Sequence, residues 1–201
     1  MMLIAFEGLD QSGKATQTRQ LRARIEQHGL DVHTLSFPDY ETPIGREIRS
    51  ALDGHREFGA DVMQLLYVAN RFEYKSRIEA WLATGAVVIC DRYRASSVAY
   101  GEAQGLDPAW LESVQRPLPA PDVTVYLDIA PDTGVRRKAT GRDLYERDLS
   151  LLARVRTSYR RQATQPGWVV VNAELPPDQV TAAVIDAVVP RLSQSSTRAH
   201  N

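Results

Sequence analysis

Residues 8–15 read GLDQSGKA and fit GxxxxGK[ST] at every specified position but the last, where Ala15 stands in place of a hydroxyl. Gly8 and Gly13 allow backbone angles that a side chain forbids. Successive N–H groups across Gly8, Leu9, Asp10, Gln11, Ser12, Gly13, Lys14, Ala15 and Thr16 can therefore converge on an anion. The start of the following helix adds a positive field, and Lys14 supplies a mobile point charge for the β- and γ-phosphates of a nucleotide such as ATP. The missing hydroxyl matters for a metal, because Thr16 points elsewhere on a helix. Either Mg²⁺ is held through water and carboxylates, or metal binding is weak. Farther along, Tyr67 and Arg71 are four residues apart and share one helical face, and Asp91 closes an apolar run.

Elements must bring these residues together. Short β-branched runs alternate with amphipathic stretches, the pattern of crossover units on a parallel sheet. The strand candidates are 3–7, 32–37, 86–91, 123–128 and 168–173, and the helical patterns cover 14–28, 43–53, 59–84, 94–104, 131–140, 145–164 and 177–192. Residues 86–91 and 123–128 are nearly continuous apolar runs ending in Asp, as strands covered on both faces should be. Their acids then fall at the carboxyl ends, where ligands bind in such sheets. The expectation is a single α/β domain over 1–192, with the small polar residues 193–201 as a disordered tail.

Composition narrows the class. The 24 basic and 25 acidic residues give a net charge of −1, which argues against a nucleic-acid-coating surface. The basic set is 21 Arg and three Lys, so Lys14 occupies a rare choice. Cys90 has no disulfide partner and reads as a small core residue, and the four His show no metal-ligand spacing. No apolar run approaches the roughly 20 residues needed to span a bilayer, and the N-terminus has no basic lead-in. A soluble, cytoplasmic protein without a membrane or nucleic-acid partner is expected.

The segments FEGLDQSGKATQ, FPDYETPIGREIR, LLYVANRFE, DRYRASSVAY and DLYERDLSLLARVRTSY occur in the order and spacing of thymidylate kinases, which the chain resembles over about residues 3–173. The resemblance implies a P-loop nucleoside-monophosphate-kinase-like three-layer fold, with a five-stranded parallel sheet surrounded by helices. It implies transfer of the γ-phosphate of ATP to dTMP, with Mg²⁺, and a homodimer. By the same resemblance Arg92 grips the acceptor phosphate with its planar fork, Asp91 acts on Mg²⁺ through water, and Asp10 lies near the dTMP sugar and the metal, bonding the 3′-hydroxyl or helping to position the phosphates. Tyr67 stacks on thymine, Arg71 bonds a base carbonyl, Phe37 walls the pocket and Ser97 lies near the base. Tyr100 fills the space of a ribose 2′-hydroxyl, and Tyr40 lies near the acceptor phosphate.

Some family members carry an Arg where this chain has Gln11, and members without it supply arginines from a lid, here residues 136–146. Arg137 and Arg142 are the expected lid arginines, with Arg136 in reserve, Thr140 and Gly141 as flexible positions, and Tyr145 and Glu146 ordering the lid. The adenine contact is expected near Asn172 and Ala173. Two alternatives stay open: another nucleoside or nucleotide kinase of the same fold, and a nucleotide-binding protein without catalysis, which Ala15 suggests.

Overall fold

A computed structural model describes residues 1–138, 145 and 148–198, with only the backbone described over 193–198. Strands β1 (Met2–Glu7), β2 (Val32–Ser36), β3 (Val87–Asp91), β4 (Val123–Asp128) and β5 (Trp168–Asn172) form one sheet in the order β2-β3-β1-β4-β5. Every pairing is parallel. The three inner strands are buried along almost their whole length, whereas the two edge strands are half-exposed. Continuous apolar runs become inner strands because helices cover both faces. Alternate residues of β1 show it: Met2, Ile4 and Phe6 join one apolar cluster, and Leu3 and Ala5 join another.

The first cluster includes Leu21 and Ile25 of α1 (Lys14–Glu26), Val155 and Tyr159 of α8 (Leu149–Gln162), and Val180 and Val184 of α9 (Pro177–Arg198). The second takes Ile78 of α4 (Lys75–Ala83) and Cys90, whose thiol burial pushes far above its ordinary range. Of the remaining helices, α2 (Pro43–Leu52) packs on α3 (Ala60–Phe72), α3 packs on α5 (Arg94–Ala103), and α7 (Pro131–Arg137) packs on α8. Among the described residues no helix is long and apolar enough to cross a membrane.

Three readings need correction. The pattern over 59–84 is two helices, α3 and α4, because the Tyr74 N–H bonds back to the Arg71 carbonyl in a tight turn while its hydroxyl is drawn to the Asp39 carboxylate. Helix α6 (Pro108–Val114) went unread although its signals are in the sequence: Asp107 caps the Ala109 N–H at 2.9 Å and Pro108 occupies the first turn. Helix α9 runs to Arg198 rather than ending at 192, since extending an existing helix through polar residues costs little once it is nucleated. Residues 199–201 lie outside the described residues.

Candidate active site

Strand β1 delivers the phosphate loop at the carboxyl edge of the sheet. Gly8 has φ 143°, and a Cβ there would stand 2.6 Å from the Leu127 carbonyl oxygen, so both backbone angle and space demand glycine. Gln11 at φ 64° and Gly13 at φ 98° complete the left-handed turns. Lys14 opens α1 and is buried, its ammonium donating to the carbonyls of Gly8 at 3.2 Å and Leu9 at 2.9 Å. Burial lowers its pKa, and Arg92 pushes the same way against Asp10, Asp91 and Glu7.

Arg92 follows β3 with φ 64°, a left-handed conformation that a non-glycine residue holds only when its surroundings dictate it. Its guanidinium donates to an Asp10 carboxylate oxygen at 2.6 Å, to the Gly8 carbonyl at 3.1 Å and to Ser96 Oγ at 3.3 Å. It also lies 5.4 Å from the centre of the Tyr100 ring, whose hydroxyl donates to Asp10 at 3.3 Å. Burial alone would raise the Asp10 pKa, but Arg92 and Lys14 outweigh it and hold the carboxyl down to about 2. Arg92 is raised in turn by Asp10, against its own burial.

Glu7, fully buried at the end of β1, fixes this corner. One carboxylate oxygen accepts the backbone N–H of Tyr93 at 2.9 Å and of Ser96 at 3.3 Å, and the other accepts the hydroxyls of Ser96 at 2.6 Å and Tyr159 at 3.0 Å. The first turn of α5, which lacks a side-chain cap of its own, is thus satisfied from the strand.

A cleft opens beside the loop. Asp10, Phe37, Tyr40, Tyr67, Arg71, Arg92, Ser97 and Tyr100 all line it, so every residue expected at the acceptor comes together. Arg71 is buried and donates to Ser97 Oγ at 2.7 Å and to Gln115 Oε1 at 3.5 Å, and burial lowers its pKa. Phe37 is held edge-on by Tyr74 at 5.6 Å, and the Arg49 guanidinium lies 5.4 Å from the Tyr40 ring centre. Tyr145 also lines the cleft, 5.9 Å from the Tyr100 ring.

The two strand-end aspartates differ. Asp128 is engaged by Arg156 and Arg160 of α8, each at 2.7 Å, and so serves packing rather than a ligand. Asp91 remains half-buried at the end of β3. Arg137 bridges the Gln11 carbonyl at 3.0 Å and the Ala173 carbonyl at 2.8 Å, which ties α7 to both the phosphate loop and the end of β5. Arg136 turns to Thr133 Oγ1 at 2.6 Å instead. Arg142 lies outside the described residues, as do Thr140, Gly141 and Glu146.

Residues 6–184 match the family profile described as Thymidylate kinase. The chain belongs to the thymidylate kinase family. It is 34% identical over 192 residues to the thymidylate kinase of Arabidopsis thaliana, across 96% of this chain and 72% of that protein. With the thymidylate kinase of Schizosaccharomyces pombe it shares 31% identity across 92% and 90% of the two chains. The solved thymidylate kinase of Candida albicans superposes with a TM-score of 0.82 at 29% identity, covering 94% of this chain and 92% of that one. Membership makes the chain a nucleotide-binding phosphotransferase, a dTMP kinase.

Three cleft or support residues of this thymidylate kinase family member escaped the sequence reading. Glu7 was visible as an acid ending an otherwise apolar strand. Gln64 lies three residues before Tyr67 on the same face of α3, and Ser96 sits beside the expected Ser97.

Proposed function

We propose that ATP lies on the phosphate loop and dTMP in the adjoining cleft, with the γ-phosphate passing between Lys14 and Arg92. One observation carries this reading. The Lys14 ammonium and the Arg92 guanidinium donate to the same Gly8 carbonyl oxygen, at 3.2 and 3.1 Å, so they lie no farther apart than those two lengths combined. Two cations held that close repel each other; Asp10 offsets this at Arg92, and Asp10, Asp91 and Glu7 act against it at Lys14. A phosphoryl group passing between them would bring the leaving, attacking and equatorial oxygens together at this point, where both cations would stabilise their charge. Arg92 would hold the acceptor phosphate, which needs no carboxylate base, whereas a nucleoside hydroxyl would.

Tyr67 would stack on the base, Arg71 would donate to its carbonyl with Ser97 nearby, and Phe37 would close the pocket wall. Tyr100, braced on Asp10 and Arg92, would occupy the 2′ side of the sugar, with Tyr40 near the phosphate. Arg137 would reach the donor phosphates by exchanging its carbonyl partners for them, Arg142 being the other expected lid arginine.

Mg²⁺ is implied by the family. Ala15 offers it no oxygen, and among the described residues no group of three acidic, His or Cys side chains could hold a metal. Mg²⁺ usually keeps several waters and takes one or two carboxylates plus substrate phosphates, and Asp91 with nucleotide oxygens fits that description. Bound there, the ion would neutralise charge on the phosphates. A homodimer is proposed through the α3 side, where Val62 and Leu65 stand exposed one turn apart, and a cytoplasmic location accords with the absence of a spanning helix among the described residues.

The test is ADP formation from ATP and Mg²⁺ with dTMP, dUMP, dCMP or thymidine as acceptor. Turnover with dTMP is expected. Turnover with thymidine but not dTMP would overturn the acceptor assignment, and silence with every acceptor would favour a binding protein without catalysis. Sedimentation at micromolar concentration decides the dimer.

A further inference from the structure

Gln64 is 1% exposed, and neither its Oε1 nor its Nε2 has a hydrogen-bond partner. A buried carboxamide with both ends unpaired is rare and asks for an explanation. This one lines the cleft together with Tyr67 and Arg71, three and seven residues on along α3, which makes the three one face of the helix. Its stem is also fixed. A Cβ on Gly101 would meet Gln64 Cγ at 3.2 Å and Leu111 Cδ1 at 2.6 Å, so α5 uses a glycine to admit the side chain and then leaves it little freedom to turn toward solvent.

The neighbouring groups lack what Gln64 has. Arg71 can only donate; one of its nitrogens bonds Ser97 Oγ at 2.7 Å, and its Nε is buried and unpaired. Ser97, having accepted from Arg71, has its proton left to give. At this end of the cleft donors are in supply, and the Gln64 Oε1 brings an acceptor. We propose that Gln64 is a specificity-determining residue that accepts the ring N3–H of the substrate's pyrimidine while Arg71 donates to the adjacent carbonyl. An imide edge, carbonyl beside N–H, matches that pair. A cytosine edge does not: its N3 carries no hydrogen, and turning the carboxamide over to meet it would leave the exocyclic amine facing the donors of Arg71. The inference rests on the dTMP reading above and adds to it the group that reads the imide proton.

Steady-state kinetics of wild type and Gln64→Met, with dTMP and its N3-methyl analogue, test this. The substitution should raise KM for dTMP at least about tenfold, since a site built to bond a polar edge loses that much when the bond goes. KM for ATP should stay within about twofold, and the melting temperature of the free enzyme should not fall, because two unpaired polar atoms have been removed. N-methylation should cost the wild type far more than the variant, as two ways of removing one bond do not add. An unchanged KM for dTMP, or losses that add in full, would overturn the proposal. If Gln64→Met melts early, Gln64→Asn, which keeps the amide but withdraws it by one methylene, must show the same rise in KM. Wild type that fails to phosphorylate dTMP would refute the proposed function instead, a result separate from either variant.

Discussion

Replacing Asp10 by Asn tests the electrostatic account of the cleft. The carboxylate bonds Arg92 at 2.6 Å and is held down to about 2 from 3.8. A shift of nearly two units corresponds to about 2.5 kcal/mol at 1.36 kcal/mol per unit. Its side chain keeps 33% of its surface accessible, so solvent screening reduces the figure to about 1–2 kcal/mol. For a domain of this size that is a fall in melting temperature of roughly 3–6 °C. A group with a depressed pKa contributes stability above its unfolded value, 3.8, and loses it as pH falls toward 2. The gap between wild type and Asp10→Asn should therefore stay constant from pH 8 down to about 5. Phosphate should stabilise the variant more than the wild type, because an anion then replaces the counter-charge that Asp10 gave Lys14 and Arg92. Scanning calorimetry across that pH range reads both effects. Equal melting temperatures, or a gap that already closes between pH 6 and 5, would refute the argument.

Lys14→Ala should lose at least about a hundredfold in kcat while keeping its far-ultraviolet circular dichroism, as removal of one preorganised charge from a phosphoryl-transfer site does. Arg137→Ala and Arg142→Ala, measured separately by coupled ADP release, should lower kcat by about tenfold or more in at least one case. Normal turnover in both would refute the lid-arginine assignment. Glu7→Gln exchanges charge-assisted bonds to Tyr93, Ser96 and Tyr159 for neutral ones and should cost about 1–3 kcal/mol in urea unfolding, with kcat for dTMP reduced through displacement of Arg92.

The parallel sheet and the phosphate loop were legible because they rest on local signals: apolar runs of strand length and two glycines at fixed spacing around a lysine. The acceptor residues were legible through the family resemblance, and the cleft gathers all of them. What escaped depends on distant partners. The split of 59–84 follows from Tyr74 reaching Asp39, 35 residues earlier, which no helical period encodes. Glu7 meets partners 86 to 152 residues away, and the role of Gln64 depends on a glycine of another helix. Asp91 and Asp128 looked alike as strand-end acids, and only the arginines of α8 separate them. Helix α6 was different, since Asp107 and Pro108 announced it locally.

Glu7 and Gly8 are consecutive residues, yet in the proposed mechanism they would serve opposite halves of the reaction. Gly8 is the first residue of the proposed donor loop, and Glu7 anchors the helix that follows Arg92 and carries Ser97 and Tyr100. The phosphate loop and the start of α5 are therefore both tied to the end of β1, one peptide unit apart, whereas Tyr67 and Arg71 reach the cleft from α3. Arg137 adds a second tie, since its bonds to the Gln11 and Ala173 carbonyls join α7 to the phosphate loop and to the end of β5, and the proposed reach of Arg137 to the donor phosphates would break both.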